Sequence, residues 1–263
     1  MSGLIARASE ASTHWYGADG SPQYTVVAKD GVNRPTTLRD ARKFGYFPSV
    51  TTVMKIMAKP GLDVWKQEQL ILACMTLPAV NGETEKQYLQ RVVADSKETG
   101  KRAAEAGTRI HESIERHYRG ETNIEHPATA KAFDVAVQAH FVLPEKHAFE
   151  AEKSFKAGHG FGGKVDLYCK PGDSAPNGLV IDAKTKDFGP DDKVDAYDEM
   201  LMQLAAYRVG LDMPHARCAN VFASRTHPGL IKVVEWSAED LSRGWKMFES
   251  ILTFWKLKNS FGV

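Results

Sequence analysis

A change in periodicity near residue 148 is the feature that most constrains the fold. Before it, apolar residues recur at helical spacing and predict helices at 62–75, 83–120 and 128–141. After it, short apolar runs separated by Gly and Pro predict strands at 148–156, 163–169, 179–184, 216–224 and 230–236. Further helices are predicted between the third and fourth strands, at 197–210, and after the last strand, at 238–257. The simplest packing for this order is an α/β fold, in which a mixed sheet carries helices on both faces.

The overall composition is that of an ordinary globular protein. Its 263 residues include 34 Lys+Arg and 33 Asp+Glu, which leave a formal net charge of +1. This balance excludes a histone-like polycation, so a nucleic acid would have to be bound by a local basic patch. No apolar run approaches the roughly 18 residues of a membrane span, and the first residues lack the apolar stretch of a signal peptide. We therefore expect a cytoplasmic protein without a membrane anchor.

The three cysteines restrict the metal chemistry of the chain. Cys74, Cys169 and Cys218 lie far apart, and no two of them form a CxxC pair. This spacing excludes a zinc ribbon and a disulfide scaffold. Three thiolates also cannot supply the four-cysteine ligation of an ordinary iron–sulfur cluster, so no such cluster is expected.

Two neighbouring predicted strands carry the residues that could bind a metal or take part in catalysis. The segment GFGGKVDLY at 160–168 is followed by a Gly/Pro-rich loop and then by LVIDAKT at 179–185. Because side chains alternate along a strand, Asp182 and Lys184 point to one side and their neighbours to the other. A hairpin that closes symmetrically about Ser174 places Asp166 opposite Asp182.

Two facing carboxylates repel each other unless a cation compensates their charge. Oxygen ligands favour a hard divalent ion, Mg²⁺ or Mn²⁺, which can neutralise a phosphate oxygen and activate a bound water. Lys184 beside it would orient or deprotonate the attacking water, so the trio suits phosphodiester hydrolysis. Taken alone, Asp-x-Lys is more often a pair of solvated surface charges.

The ordered motifs resemble the PD-(D/E)XK nuclease superfamily. The similarity lies in GGKVD at 162–166, VIDAKT at 180–185 and QLAAY at 203–207, and it extends to AGTRIHESIE at 106–115. Within the superfamily these motifs are similar to the branch that contains the RecB-type nuclease domain, the mitochondrial genome maintenance exonuclease and many phage exonucleases. The CRISPR-adaptation nucleases of that branch carry a cysteine-ligated iron–sulfur cluster, which this chain cannot bind.

The resemblance implies a restriction-endonuclease-like fold and assigns roles to single residues. His111, Asp166 and Asp182 would bind Mg²⁺ or Mn²⁺, and Lys184, Asp182 and Asp166 would form the catalytic set. Gln203 and Tyr207, four residues apart on one side of a helix, would contact substrate or Lys184. The nuclease core would span 100–263, and a mainly helical part at 1–99 would assist DNA binding. The roles of Glu115 and Glu152 stay open.

In function, the resemblance implies a metal-dependent deoxyribonuclease that leaves 5′-phosphates. The phage-like FPSVTT at 47–52 and the later Leu62-x-x-Trp65 favour an exonuclease of recombination or replication, although plain helix capping explains the hydroxyls of FPSVTT equally well. The partners expected are DNA and a single-strand annealing or recombination protein, with the oligomeric state open. Two alternatives remain: a non-catalytic DNA-binding module on the same fold, and a structure-specific endonuclease.

Overall fold

A computed structural model describes residues 13–143, 149–172 and 175–262. Over these residues the chain has a mixed α/β architecture with seven helices and one five-stranded sheet, as the periodicity predicts. None of the helices in these ranges combines the length and apolarity needed to cross a bilayer.

The first half of the chain is mainly helical, with four very short strands. Its elements are β1 (Trp15–Tyr16), β2 (Thr25–Val27), β3 (Asn33–Pro35), α1 (Leu38–Phe44), β4 (Phe47–Pro48), α2 (Val50–Met54), α3 (Pro60–Thr76), α4 (Glu85–Tyr118) and α5 (Pro127–Phe141). Thr37 and Asp40 form a capping box at the start of α1, since each side chain accepts the other residue's backbone N–H. These reciprocal bonds satisfy N–H groups that have no partner inside the helix.

The second half supplies the main sheet and two long helices. Its elements are β5 (Phe149–Ala157), β6 (Phe161–Cys169), β7 (Leu179–Lys186), α6 (Asp198–Gly210), β8 (Arg217–Ser224), β9 (Ile231–Trp236) and α7 (Ala238–Lys258). All seven were predicted, with bounds that differ by one or two residues, and position 148 of the first predicted strand lies outside the described residues. Ser237 caps α7, because its side chain accepts the backbone N–H of Asp240.

The sheet has the order β5-β6-β7-β8-β9, and only β7 and β8 run parallel. That parallel pair is joined through α6, which is the crossover that such a connection requires. In the β6–β7 hairpin, Leu167 pairs with Ile181 and Cys169 with Leu179. The same register, continued by one residue, puts Asp166 opposite Asp182, as the symmetric hairpin predicts. The expected turn centre, Ser174, lies outside the described residues.

Apolar side chains pack on both faces of the sheet. Ile110 of α4, Phe133 of α5 and Ile181 of β7 belong to one buried cluster. The other face packs against α6 and α7, and Trp15 and Val50 from the N-terminal half join that cluster. The two predicted parts, 1–99 and 100–263, thus share a core, and α4 continues across the position that separates them.

Candidate active site

Asp182 and Lys184 lie on β7 and point to the same side of the sheet. The intervening Ala183 packs with the α4–α5 cluster on the other side, as strand alternation requires. Asp182 is only 1% exposed, and its Oδ2 lies 2.6 Å from Lys184 Nζ. A buried carboxylate at this distance from an ammonium forms a charge-assisted pair.

Asp166 approaches the pair from β6, at the point where the pairing of β6 and β7 ends. The last paired residues are Leu167 and Ile181. One residue beyond them, the backbone N–H of Ala183 donates to Asp166 Oδ2 over 2.8 Å. The divergence of the two strands therefore brings the Asp166 carboxylate onto the peptide group that follows Asp182.

His111 reaches the site from α4, which packs on β7. Its Nε2 lies 3.1 Å from Asp166 Oδ2. Gly107, one turn earlier, makes this approach possible, because a Cβ there would come within 2.5 Å of Thr185 Oγ1. A larger residue would hold the helix away from the strand.

Electrostatic interactions favour the charged forms of His111, Asp166 and Lys184 despite their burial. Burial alone would lower the pKa of His111, but the Asp166 carboxylate outweighs it and the pKa is raised. Burial opposes ionisation of Asp166 as well, yet His111 and Lys184 hold its pKa below the ordinary value. The pKa of Asp182 is raised, mainly by burial. In Lys184 the cost of burial is exceeded by the attraction of Asp182 and Asp166, so its pKa is raised.

Gln203 and Tyr207 lie on α6 and form a chain that ends at Lys184. Gln203 Nε2 donates to Tyr207 Oη over 2.8 Å, which turns the amide oxygen toward Lys184. That oxygen accepts a hydrogen bond from Lys184 Nζ over 3.3 Å. Tyr207 itself is buried, so of the two contacts anticipated for this pair, the structure shows the one with Lys184.

Asn220 is a component of the site that sequence reasoning missed. It pairs with Asp182 across β7 and β8, is 0% exposed, and donates from Nδ2 to Asp182 Oδ2 over 2.7 Å. Its Oδ1 accepts the Trp236 Nε1–H over 2.8 Å. The signal available in the sequence was a single amide between apolar neighbours in a buried strand, Ala219 and Val221.

The side chains suit a hard divalent cation in kind. Both carboxylates are held through Oδ2, and in the described residues no hydrogen bond reaches Oδ1 of Asp166 or of Asp182. Within the described residues, His111 Nε2 is buried and makes no well-aligned hydrogen bond, although Asp166 Oδ2 lies 3.1 Å away. No set of three or more His, Cys, Asp or Glu in the described ranges is already spaced as a metal cage. A cation here would therefore keep part of its shell as water, as Mg²⁺ commonly does.

Three hollows surround the cluster. A groove of about 620 Å³ runs from Lys184 past Lys55 and Lys59, between α2, the start of α3 and α6. Two hollows of about 300 and 570 Å³ open beside His111. The site is thus reachable from both sides of β7.

Glu115 and Glu152 both line the larger hollow beside His111. Glu115 lies 2.6 Å from an Arg119 nitrogen, and Glu152 pairs with Lys164. Each carboxylate therefore has a cationic partner in place of the histidine ring.

Both buried hydroxyls of the 47–52 segment serve the fold: that of Ser49 caps α2, and that of Thr52 accepts the His14 backbone N–H over 3.0 Å. Ser49 is buried and its Oγ accepts the Thr52 backbone N–H at the start of α2. Thr51 is exposed and lines the groove beside Lys184. Among the hydroxyl-bearing residues of this segment, Thr51 is the one placed to contact a ligand in the groove.

Comparisons with known proteins add little to this geometry. No family model matches the chain, and no curated protein matches it. Among solved structures, one described as "Crystal structure of SSO0001" is similar over 72% of this chain and 86% of its own, with 12% identity and a TM-score of 0.27. A likeness of that size carries no conclusion about function.

Proposed function

We propose that the protein is a Mg²⁺- or Mn²⁺-dependent DNA exonuclease of the restriction-endonuclease-like fold, which hydrolyses phosphodiester bonds and leaves 5′-phosphates. One observation carries the proposal: a His111–Asp166 contact of 3.1 Å and an Asp182–Lys184 contact of 2.6 Å come from three separate elements and are brought together by the hydrogen bond from the Ala183 N–H to Asp166. A chance pair of surface charges would not be buried, nor be joined by a histidine from a distant helix.

A bound divalent ion would supply charge neutralisation at the scissile phosphate and a more acidic water. The unbonded oxygens of Asp166 and Asp182, together with His111, are the atoms that would hold it. Lys184 is aimed by Asp182 and Gln203, so its ammonium can donate hydrogen bonds to the attacking water or to a phosphate oxygen.

The groove beside Lys184 suits a DNA strand. Lys55 and Lys59 add positive charge along it, and Met54, Leu62 and Met200 supply apolar wall. Such a combination binds a phosphate backbone without reading its sequence. DNA is therefore the proposed substrate, and an annealing or recombination protein is the proposed partner.

Digestion of a linear duplex beside its covalently closed circle, with Mg²⁺ or EDTA, tests the function. We expect mononucleotide or short products from the linear form alone, carrying 5′-phosphates and appearing only with the metal. Nicking of the circle would indicate an endonuclease, and a gel shift without products would indicate a binding module.

Two lysine variants test the site. Lys184→Met should reduce cleavage at least about 100-fold, because it removes a cation aimed at the reacting phosphate. Lys186→Met is the matched control: Lys186 is two residues further along β7, and its Nζ lies 5.7 Å from the Tyr197 ring centroid. Near-normal cleavage by a folded Lys184→Met variant would contradict the assignment of the site.

A further inference from the structure

A separate cavity, of about 830 Å³, lies at the other end of the sheet from Lys184. The end of α6, the start of β8, the end of β9 and the first turn of α7 enclose it. Arg217 in its wall pairs with Leu179 at the start of β7, five residues before Lys184. At the rise of a strand, this separation is roughly 16 Å, so the cavity is distinct from the candidate active site.

Arg208 projects into this cavity as a buried cation without an acidic partner. The residue is only 7% exposed and lines the cavity, and its Nε makes no hydrogen bond. Across the described part of the chain, no carboxylate pairs with its guanidinium. Because arginine stays protonated in proteins, burial without a counter-charge is costly.

The groups around Arg208 do not neutralise it. Glu235 also lines the cavity, but its two oxygens accept hydrogen bonds from Arg217 over 2.7 and 2.9 Å. The same carboxylate lies 2.8 Å from His140 Nε2. Burial raises the pKa of the neighbouring Cys218 to about 12, so that thiol is neutral at physiological pH. Arg208 lies in the last turn of α6, where the negative end of the helix dipole offsets part of its charge, and a bound anion would supply the rest.

The N-terminus of α7 faces the same cavity. This helix is 21 residues long, and Ser237 and Ala238 at its start are part of the cavity wall. Unpaired N–H groups and the helix dipole attract anions at such an end. The two acids of the first turn, Glu239 and Asp240, are not part of the cavity wall, and Asp240 accepts a hydrogen bond from Ser237 Oγ.

We propose that this cavity binds a phosphate-bearing ligand of nucleotide size, with the phosphate between Arg208 and the start of α7. Trp236, Pro214 and Leu241 give it an apolar wall, and its volume lies in the usual range for small-ligand sites. The phosphate belongs either to a free nucleotide or to a bound DNA strand. The proposal does not depend on nuclease activity.

Thermal unfolding of the full chain in EDTA tests the site with dAMP, inorganic phosphate and deoxyadenosine as probes. If the ligand is a free nucleotide, dAMP at ten times its Kd should raise Tm by about 3–6 °C, and deoxyadenosine should have no effect. Arg208→Met should lose the response, while Arg243→Met, which removes an exposed arginine of α7, should keep it. Lys184→Met should also keep it, which separates this site from the groove beside Lys184.

Binding of a labelled single strand, followed by fluorescence anisotropy in EDTA, distinguishes the two sources of phosphate. If the ligand is a DNA phosphate, Arg208→Met weakens strand binding at least about 10-fold and dAMP leaves Tm unchanged. If the ligand is a free nucleotide, dAMP raises Tm and Arg208→Met leaves strand binding unchanged. Arg208→Lys, which keeps the charge but loses the planar fork, should weaken either response and covers the case of an unfolded methionine variant. The proposal is overturned if the responses to dAMP, phosphate and DNA are all independent of Arg208.

Discussion

Replacing Asn220 with leucine would remove the link between Asp182 and Trp236 while keeping the number and branching of the side-chain heavy atoms. Asn220 donates to the Asp182 carboxylate over 2.7 Å and accepts from the Trp236 indole over 2.8 Å. Both bonds lie in or beside the core, where a lost partner is not readily replaced by water.

The expected loss follows from these two bonds. A hydrogen bond to a charged group contributes about 1.5–3 kcal/mol, and a neutral one about 0.5–1.5 kcal/mol. Trp236 is only half-buried, so water can satisfy its N–H after the change. We expect the free energy of unfolding to fall by about 2–3 kcal/mol. Cleavage should fall about 10- to 100-fold, because Asp182 loses one of the groups that fix its orientation.

Urea unfolding and initial cleavage rates under saturating metal measure the two effects. Ser224→Ala is a matched control on the same strand: Ser224 is buried, its Oγ donates to the Phe188 carbonyl over 2.7 Å, and it does not touch Asp182. Both variants should lose stability, and only Asn220→Leu should lose activity while folded. Equal activities of the two folded variants would refute a positioning role for Asn220.

Three further predictions address other parts of the fold. Gly107→Ala should lower the free energy of unfolding by about 1–3 kcal/mol and remove most of the activity, because its Cβ would lie 2.5 Å from Thr185 Oγ1. Urea unfolding of the Gly107→Ala/Thr185→Ala double variant should show the stability restored, and no restoration would contradict the contact. Tyr207→Phe should slow cleavage about 2- to 10-fold by freeing the Gln203 amide, measured as kcat, and an unchanged kcat would contradict the chain. Asp40→Asn should lower the free energy of unfolding by about 1–2 kcal/mol, measured in urea at pH 7, because hydrogen bonds from the Arg34 guanidinium hold the pKa of the Asp40 carboxyl below its usual range. That stabilisation is present above the ordinary carboxyl pKa and is lost as the pH falls toward the lowered one, so the difference between wild type and variant should shrink below about pH 4; a constant difference would refute the linkage.

Local rules account for most of what could be predicted about this fold. The capping residues Thr37 and Ser237 and the strand bounds follow from propensity and alternation, which act over a few residues. The register of the β6–β7 hairpin, which directs Asp166 toward Asp182 although the pairing itself ends at Leu167 and Ile181, follows from the symmetry of one hairpin.

Several features of the structure were not predicted from short-range sequence patterns. The two-residue strands β1 and β4 were not predicted, since strands so short depend on their partner rather than on their own sequence. The packing of Trp15 with the core likewise rests on contacts between distant segments, whereas the continuity of α4 across 99/100 agrees with the helix predicted at 83–120. Such contacts leave no periodic trace.

For this protein, the sequence by itself determined the order of helices and strands and which side chains on β7 share a face, because both are set by neighbours along the chain. Only the tertiary structure decided that His111 meets Asp166, that Asn220 supports Asp182, and that Arg208 is buried with no acid paired to it among the described residues. Those relations join residues tens of positions apart, and burial, which makes their charges and hydrogen bonds costly to leave unpaired, exists only once the layers have packed.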